Sequence, residues 1–283
     1  MAAPGVLWVV ATPIGNLEDV TLRALRVLRE ADVVAAEDTR RTKVLLAHHG
    51  IERPLVAYYD AVERARAPQL VARLLAGERV ALVSDAGTPG INDPGYHLVR
   101  EAIAAGVPVV PIPGPSAVTA LVSIAGIPAE RFVFEGFLPA RRAARRARLE
   151  ALAGETRATV FLEAGRRLAD FLADAADVLG DRDVVVGREL TKLHEEVRRG
   201  RLVALRDAVA AEPVPLGELT LLVSGATEAP APSATALDDA IRAGLAAGQR
   251  VRDVADAVAG ALGVPRREVY RRALALVADG RGD

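Results

Sequence analysis

The chain has no cysteine, one methionine, one tryptophan and four histidines in 283 residues. Without cysteine there are no disulfides, thiol nucleophiles, zinc knuckles or iron–sulfur clusters. The histidines (His48, His49, His97 and His194) show no metal-ligand spacing, so no metal site is expected. There is no apolar run of about eighteen residues, which argues against a membrane-spanning helix. The N-terminus lacks the basic region, apolar block and cleavage site of a secretory signal, and the expectation is a cytoplasmic protein. Net charge is close to zero, at −1, so any affinity for nucleic acid has to come from local basic patches. Lysine is scarce too: Lys43 and Lys192 stand alone against a background of arginine. Also missing are a G-x-G-x-x-G after the first strand, a Walker sequence and a G-x-S-x-G elbow. The usual Rossmann dehydrogenase, the usual Rossmann methyltransferase and the serine hydrolases are disfavoured accordingly.

Half of the chain is apolar, enough at this length to bury the cores of two fused domains. The organising stretch is VALVSDAGTPGINDPGY, residues 80 to 96. Val80 to Val83 is too short for a buried helix and reads as a strand, which breaks at once into a loop rich in glycine and proline. In open α/β sheets ligands sit beyond the carboxyl ends of strands, where loop N–H and C=O groups have no ladder to join. Pro89 and Pro94 stiffen this loop in advance of binding. A tight turn capped by Asp85 or Asn92 is the plain alternative.

The same design recurs. Val6 to Ala11 reads as a strand running into Thr12-Pro13-Ile14-Gly15-Asn16, with Thr21 as the N-cap of the next helix. Asp32 to Ala36 leads into Glu37-Asp38-Thr39-Arg40 and a helix that Gly50 stops. Leu55 to Tyr58 and a helix over 61–76 follow, and Val107 to Ile112 ends in Pro113-Gly114-Pro115-Ser116-Ala117, where another helix opens. Such alternation predicts a parallel sheet, and the free N–H groups at that last helix start favour an anionic or carboxylate partner.

Phe132 to Phe137, Thr159 to Leu162, Val184 to Gly187 and Leu219 to Val223 predict a second sheet. Between its first two strands Arg141, Arg142, Arg145, Arg146 and Arg148 form a helical patch that suits phosphates or a solvated face. The charged segment 188–200 reads as surface. A Pro/Ala linker, Glu228 to Ser233, separates a helical tail in which 251–262, a Gly263-Val264-Pro265 turn and 266–277 resemble a helix-turn-helix. Tyr270, Ala273, Leu274 and Val277 share one face of the last helix; Arg267, Arg271 and Arg272 lie off it and suit nucleic acid.

Seven motifs in order carry a resemblance: VATPIGNLEDVTLRAL (10 to 25), AAEDTRRTKVLL (35 to 46), the central stretch, VPIPGPSAVTAL (110 to 121), FEGFLP (134 to 139), RELTKLHEEVRRG (188 to 200) and GELTLLVSG (217 to 225). They resemble the ribosomal RNA small subunit methyltransferase I family of the tetrapyrrole methylase superfamily. The resemblance implies two consecutive α/β domains of the tetrapyrrole methylase type (1–115 and 116–227) with the cofactor in the interdomain cleft. A linker (228–235) and a small C-terminal helical domain (236–283) complete the expected fold. The implied reaction is methyl transfer from S-adenosyl-L-methionine to the ribose 2′-hydroxyl of a cytidine in the decoding region of 16S rRNA, by a homodimer acting on the RNA or the assembled small subunit.

Carried onto this sequence, the resemblance assigns the cofactor to Pro13, Asp85, Ala86, Gly87, Thr88, Pro89, Ser116, Ala117, Leu162, Leu190 and Thr220. Asn16 and Arg40 would face the RNA from loops at the ends of neighbouring strands, with Arg141, Arg142, Arg145, Arg146, Arg267, Arg271 and Arg272 as further contacts. Asp38 is the candidate base, or a helix cap. Lys192 is the candidate cation or base, or a surface charge paired with Glu195 or Glu196. Other enzymes of the superfamily, acting on a tetrapyrrole or a diphthamide precursor, and a ribosome-associated RNA-binding protein without catalysis are the alternatives.

Overall fold

A computed structural model describes residues 4–214, 216–227 and 234–279. The linker 228–233 lies outside the described residues. Two compact units divide the chain, the first ending at Ala226. In order, the first unit contains β1 (Leu7–Val10), α1 (Leu22–Glu30), β2 (Val33–Ala36), α2 (Thr39–His48), β3 (Leu55–Ala57), α3 (Asp60–Leu75), β4 (Val80–Val83), α4 (Tyr96–Ala104), β5 (Val109–Ile112) and α5 (Ala117–Ile124). There follow β6 (Phe132–Phe137), α6 (Arg142–Ala151), β7 (Ala158–Ala164), α7 (Leu168–Leu179), β8 (Asp183–Arg188), β9 (Glu196–Arg201), α8 (Leu202–Ala210) and β10 (Glu218–Val223).

The first sheet is parallel throughout, in the order β3-β2-β4-β1-β5. Helices cover both of its faces, so β2 (VVAA) and β4 (VALV) are apolar and buried at every position, as parallel interior strands are. The chain leaves β1 for β2 on one side and leaves β4 for β5 on the other. Adjacent strands whose connections run in opposite directions open a crevice at their carboxyl ends. The loops after β1 and β4 therefore meet there. The loop after β2 lies one strand further along, separated from that of β1 by β4, which corrects the expectation that the Asn16 and Arg40 loops end neighbouring strands.

The second sheet is mixed, in the order β6-β7-β10-β8-β9, with only the β6–β7 pair parallel. Its period-2 alternation sorts two cores. Phe161, Val184, Val186, Leu219, Leu221 and Val223 pack with α6, α7 and α8. Ala158, Val160, Val185 and Leu222 pack with Leu121 of α5 and with Ile14 from the other half. The second face, which Leu162 and Thr220 share by alternation, is the one turned toward the crevice. The segment 188–200 is more than surface, since its end forms β9, paired along β8 from Asp183↔Arg201 to Arg188↔Glu196. Its charges are compatible with a strand because it is an edge.

The second unit contains α9 (Ala234–Ala246), α10 (Val251–Leu262) and α11 (Arg266–Asp279). The turn between the last two runs through Gly263 in the left-handed region, as anticipated, but α9 adds a third helix. Its core includes Leu237, Ile241, Val254, Val258, Val269 and Ala273. α11 thus buries Val269 and Ala273 and half-buries Leu276, while Tyr270 and Leu274 are exposed. With α9 and α10 both packed on it, α11 keeps Ala273 of the face its own periodicity suggested but adds Val269 and leaves Tyr270 and Leu274 outside.

Candidate active site

The loops after β1 and β4 are locked together by an isolated antiparallel bridge: Thr12 N–H donates to Gly87 O (2.8 Å) and Gly87 N–H to Thr12 O (3.0 Å). The Thr12 hydroxyl also donates to Ser84 O at 3.1 Å. Gly15 then brings the first loop against the second half, so closely that a Cβ there would lie 2.3 Å from Lys192 Cγ and 3.0 Å from Leu190 O. Behind the central loop, Asn92 sits at φ 62° with its amide against Gly136, itself at φ 65° at the bulge of β6. Both halves of the unit thus press on the same loops.

Between them lies a cleft of about 180 Å³, open to solvent. Eight residues expected at a cofactor line it: Ala86, Gly87, Thr88, Ser116, Ala117, Leu162, Leu190 and Thr220. Ser116 is the N-cap of α5 without using its side chain as a cap, and the first N–H groups of a helix have no carbonyl partner within it. A hydroxyl and helix N–H groups at one end, with Leu162, Leu190, Ile14 and Val118 as walls, fit a ligand with a carboxylate and a flat apolar ring system.

Three expected cofactor contacts lie elsewhere. Pro89 is buried and does not line the cleft. Pro13 and Asp85 border a smaller cavity on the other side of the bridge, with Leu17, Val44 and Arg41. The Asp85 carboxylate accepts from the Asp38 N–H (2.9 Å) and lies 3.5 Å from Arg41. Turned toward the loop after β2, it organises that loop, and its assignment as a cofactor contact is corrected accordingly.

Asp38 is the N-cap of α2, accepting from the Arg40 N–H at 2.8 Å and pairing with the Arg40 guanidinium at 2.7 Å. The Arg40 hydrogen bonds hold its carboxyl down at about 2. It is a poor proton acceptor and lies outside the cleft, so the candidate base of the sequence reading is a cap. Arg40 is exposed but committed to this pair.

Lys192 does line the cleft. Its Nζ is held by Glu189 (2.9 Å) and Glu218 (3.0 Å), neither of them the partners expected. Burial pulls its pKa down, but those two hydrogen bonds outweigh it and the net shift is upward. The two carboxylates hold the ammonium in place and favour its charged form. Glu189, at φ 49°, also accepts from the Glu218 N–H at 2.9 Å, so Lys192 stands on a buttressed turn.

The sequence reading missed Asp93, Asn92, Ile91, Phe137, Glu163, Glu189 and Glu218, all lining the cleft. Each lies in or beside a motif already singled out, and no local signal said which way its side chain turns. Two of these carboxyls are pushed up: Glu163 by burial, against the Ala164 N–H and the Arg167 charge, and Asp93 by burial first, then by the negative charges of Glu37, Asp85 and Asp60, up to about 7 against the pull of a hydrogen bond from Ser84.

The arginines expected at RNA divide. Arg142, Arg145 and Arg146 converge on Asp174, at 3.1, 2.8 and 3.1 Å. Arg145 and Asp174 are only 3% and 1% exposed at their side chains, so Arg145 is a core ion pair and its assignment to phosphate is corrected. Arg141 is exposed and precedes α6. In the helical unit Arg272 bonds Asp238 of α9 through two nitrogens, at 2.6 and 2.8 Å; it ties helices together, while Arg267 and Arg271 are exposed. Asn16 is also exposed, and its side chain accepts from the Glu18 N–H.

Two α/β halves closing on a crevice lined by β1 and β4 loops define a methylase class: the family model of tetrapyrrole (corrin/porphyrin) methylases matches residues 6–206. Solved structures agree in fold. The uroporphyrin-III-C-methyltransferase from Thermus thermophilus superposes with TM-score 0.56 at 23% identity, over 78% of this chain and 94% of its own. A diphthine synthase does so with TM-score 0.57 at 18% identity, over 78% of this chain and 90% of its own.

Much nearer in sequence are proteins named ribosomal RNA small subunit methyltransferase I, and the chain belongs to their family. That of Xylella fastidiosa is 52% identical over 81% of this chain and 84% of its own length. That of Mesorhizobium japonicum is 46% identical over 98% and 94%. The Thermotoga maritima relative is 47% identical over 78% of this chain and 99% of its own length. It therefore has almost nothing to set against the remaining fifth of this chain.

Proposed function

We propose that the protein transfers the methyl group of S-adenosyl-L-methionine to the 2′-hydroxyl of a cytidine in the decoding region of 16S rRNA, within or on the way to the small ribosomal subunit. The observation that carries this is the cleft itself, where eight residues assigned to the cofactor from sequence line one cavity in a chain about half identical to small-subunit RNA methyltransferases. When bound, the cofactor supplies an activated methyl on a sulfonium with a good leaving group. Ser116 and the first N–H groups of α5 would hold its carboxylate, and Leu162, Leu190 and Ile14 its apolar surface. Thr88 and the bridge of Thr12 to Gly87 fix the floor. Alignment of the acceptor is then most of the catalysis, and Lys192 supplies positive charge for the oxygen as it loses its proton.

The test is incubation with labelled cofactor and small subunits, followed by digestion and mass identification of the modified nucleoside. A 2′-O-methylcytidine is expected; label in any other nucleoside or none rejects the reading.

The helical unit fits a role in holding RNA, because Arg267 and Arg271 of its last helix are both exposed. If Arg267 and Arg271 both meet phosphates, replacing them with alanine should flatten the slope of log affinity against log salt by about 1.4, at roughly 0.7 per contact for single strands. RNA affinity at three salt concentrations measures it. An unchanged slope assigns the unit to packing, and cofactor affinity should not change in either case.

A further inference from the structure

Building on that reading, we propose that Asp93 is the base that takes the proton from the acceptor hydroxyl during methyl transfer. The argument begins by elimination within the cleft. No histidine lines it, and its one lysine is engaged by two carboxylates. Of the four carboxyls that do line it, Glu163 is buried, accepts from the Ala164 N–H at 2.9 Å and is paired with Arg167 at 3.1 Å. Glu189 carries the Lys192 ammonium and the Glu218 N–H. Glu218 is paired with Lys192 and mostly exposed. Asp93 has no cationic partner among the described residues; the groups around it are Glu37 from the end of β2, Asp60 from the start of α3, Asp85, and the Ser84 hydroxyl. Across the cleft lie Lys192, Glu163, Glu189 and Glu218.

Position and rigidity agree with this role. Asp93 lines the same cavity as Ala86, Gly87 and Thr88, so it borders the space in which acceptor and methyl must meet. The left-handed turn at Asn92, wedged against Gly136, and the buried Pro94 that follows fix the backbone on both sides. A base is useful when its affinity for protons matches the working pH. Burial among like charges gives Asp93 that affinity, while Asp38, held near 2 by Arg40, is too weak.

The step balances. The hydroxyl oxygen forms a bond to the methyl carbon, the carbon–sulfur bond breaks with its electron pair on sulfur, and the O–H proton passes to the Asp93 carboxylate. The sulfonium charge disappears as the thioether leaves neutral. Asp93 returns its proton to solvent through the open side of the cleft.

Single-turnover methyl transfer to small subunits, measured from pH 5.5 to 8.5, tests it. The unsubstituted protein should speed up with pH through a midpoint near 7 and then level off. Asp93→Asn should lower the plateau by about 100-fold or more and abolish that limb, with S-adenosylmethionine affinity by calorimetry within about threefold. A second readout needs no turnover. A carboxyl whose pKa is raised on folding costs stability as pH rises through the folded value, so Asp93→Asn should gain in Tm relative to the unsubstituted protein between pH 5 and 8.

A flat pH profile in the unsubstituted protein, an unchanged rate in Asp93→Asn, or a Tm difference independent of pH overturns the assignment. So does a variant whose rate returns when the cofactor is saturating, which would make Asp93 a cofactor contact. If the unsubstituted protein transfers no methyl to RNA at all, the proposed function falls and the base with it. Transfer by the unsubstituted protein equalled by Asp93→Asn removes the base alone.

Discussion

Replacing Gly15 with alanine should abolish most of the activity while leaving the chain folded. The added Cβ would lie 2.3 Å from Lys192 Cγ, 2.9 Å from Thr191 Oγ1 and 3.0 Å from Leu190 O, against 3.4 Å or more for ordinary contact. More than an ångström has to be found. The Lys192 side chain cannot swing away alone, since Nζ is bonded to Glu189 and Glu218 and the turn that carries it holds Thr191 at φ 66°. The first loop is equally committed, through the two bonds between Thr12 and Gly87. The strain is relieved most cheaply by parting the two walls of the cleft, which moves Leu190 and Lys192 relative to Ile14.

Displacing reacting groups by about 1 Å costs roughly a hundredfold in rate, and this much is expected in turnover, with cofactor affinity down by tenfold or more. Calorimetry and single-turnover rates measure both, and circular dichroism checks the fold. Wild-type affinity in Gly15→Ala would mean that the turn after β8 is free to shift without widening the cleft.

The largest stability effect should come from Asp174→Ala. Asp174 is 1% exposed and takes three arginines, of which Arg145 is itself 3% exposed. Burial raises the pKa of the Asp174 carboxyl, but the Arg142, Arg145 and Arg146 hydrogen bonds outweigh it and leave the carboxyl below its usual range. It is charged at neutral pH. Removing it strands the Arg145 guanidinium beneath α6, where neither water nor another acid reaches it well: Asp170 is the nearest alternative, at 3.7 Å, on an exposed side chain. Removing one member of a buried ion pair costs about 3–5 kcal/mol, and urea denaturation should show a loss of that size. The double variant Arg145→Met with Asp174→Ala should recover most of it, because an apolar replacement of both partners leaves no buried charge. A loss below about 1 kcal/mol in the single variant would mean that water or Asp170 takes over Arg145.

Much of this molecule is legible in its sequence. Short apolar runs such as VVAA, which breaks into Glu37-Asp38-Thr39-Arg40, and VALV, which breaks into a loop with glycine and proline, mark strands whose ends carry loops, and their alternation with amphipathic helices leaves a parallel sheet as the only economical arrangement. The second sheet was legible from its own alternation, because side chains change face at every residue and half of each strand has to be apolar for each core. Much of the cleft lining was legible too, by way of the resemblance: Ala86, Gly87, Thr88, Ser116 and Ala117 sit in loops that follow strands, and all five border the cavity.

What only the tertiary structure decided is where charged side chains point. The sequence places Arg145 in a basic helical patch, but its acid, Asp174, comes from a different helix 29 residues on. Asp85 and Asp93 lie eight positions apart in one loop, and the turn at Asn92 sets them on opposite sides of it. Asp85 goes to Arg41 and Asp93 to the cleft. The reason is one of range. Hydrophobic periodicity and turn residues report on neighbours a few positions away, whereas burial and the sum of surrounding charges, which turn one aspartate into a cap and another into a proton acceptor, exist only when distant segments have packed.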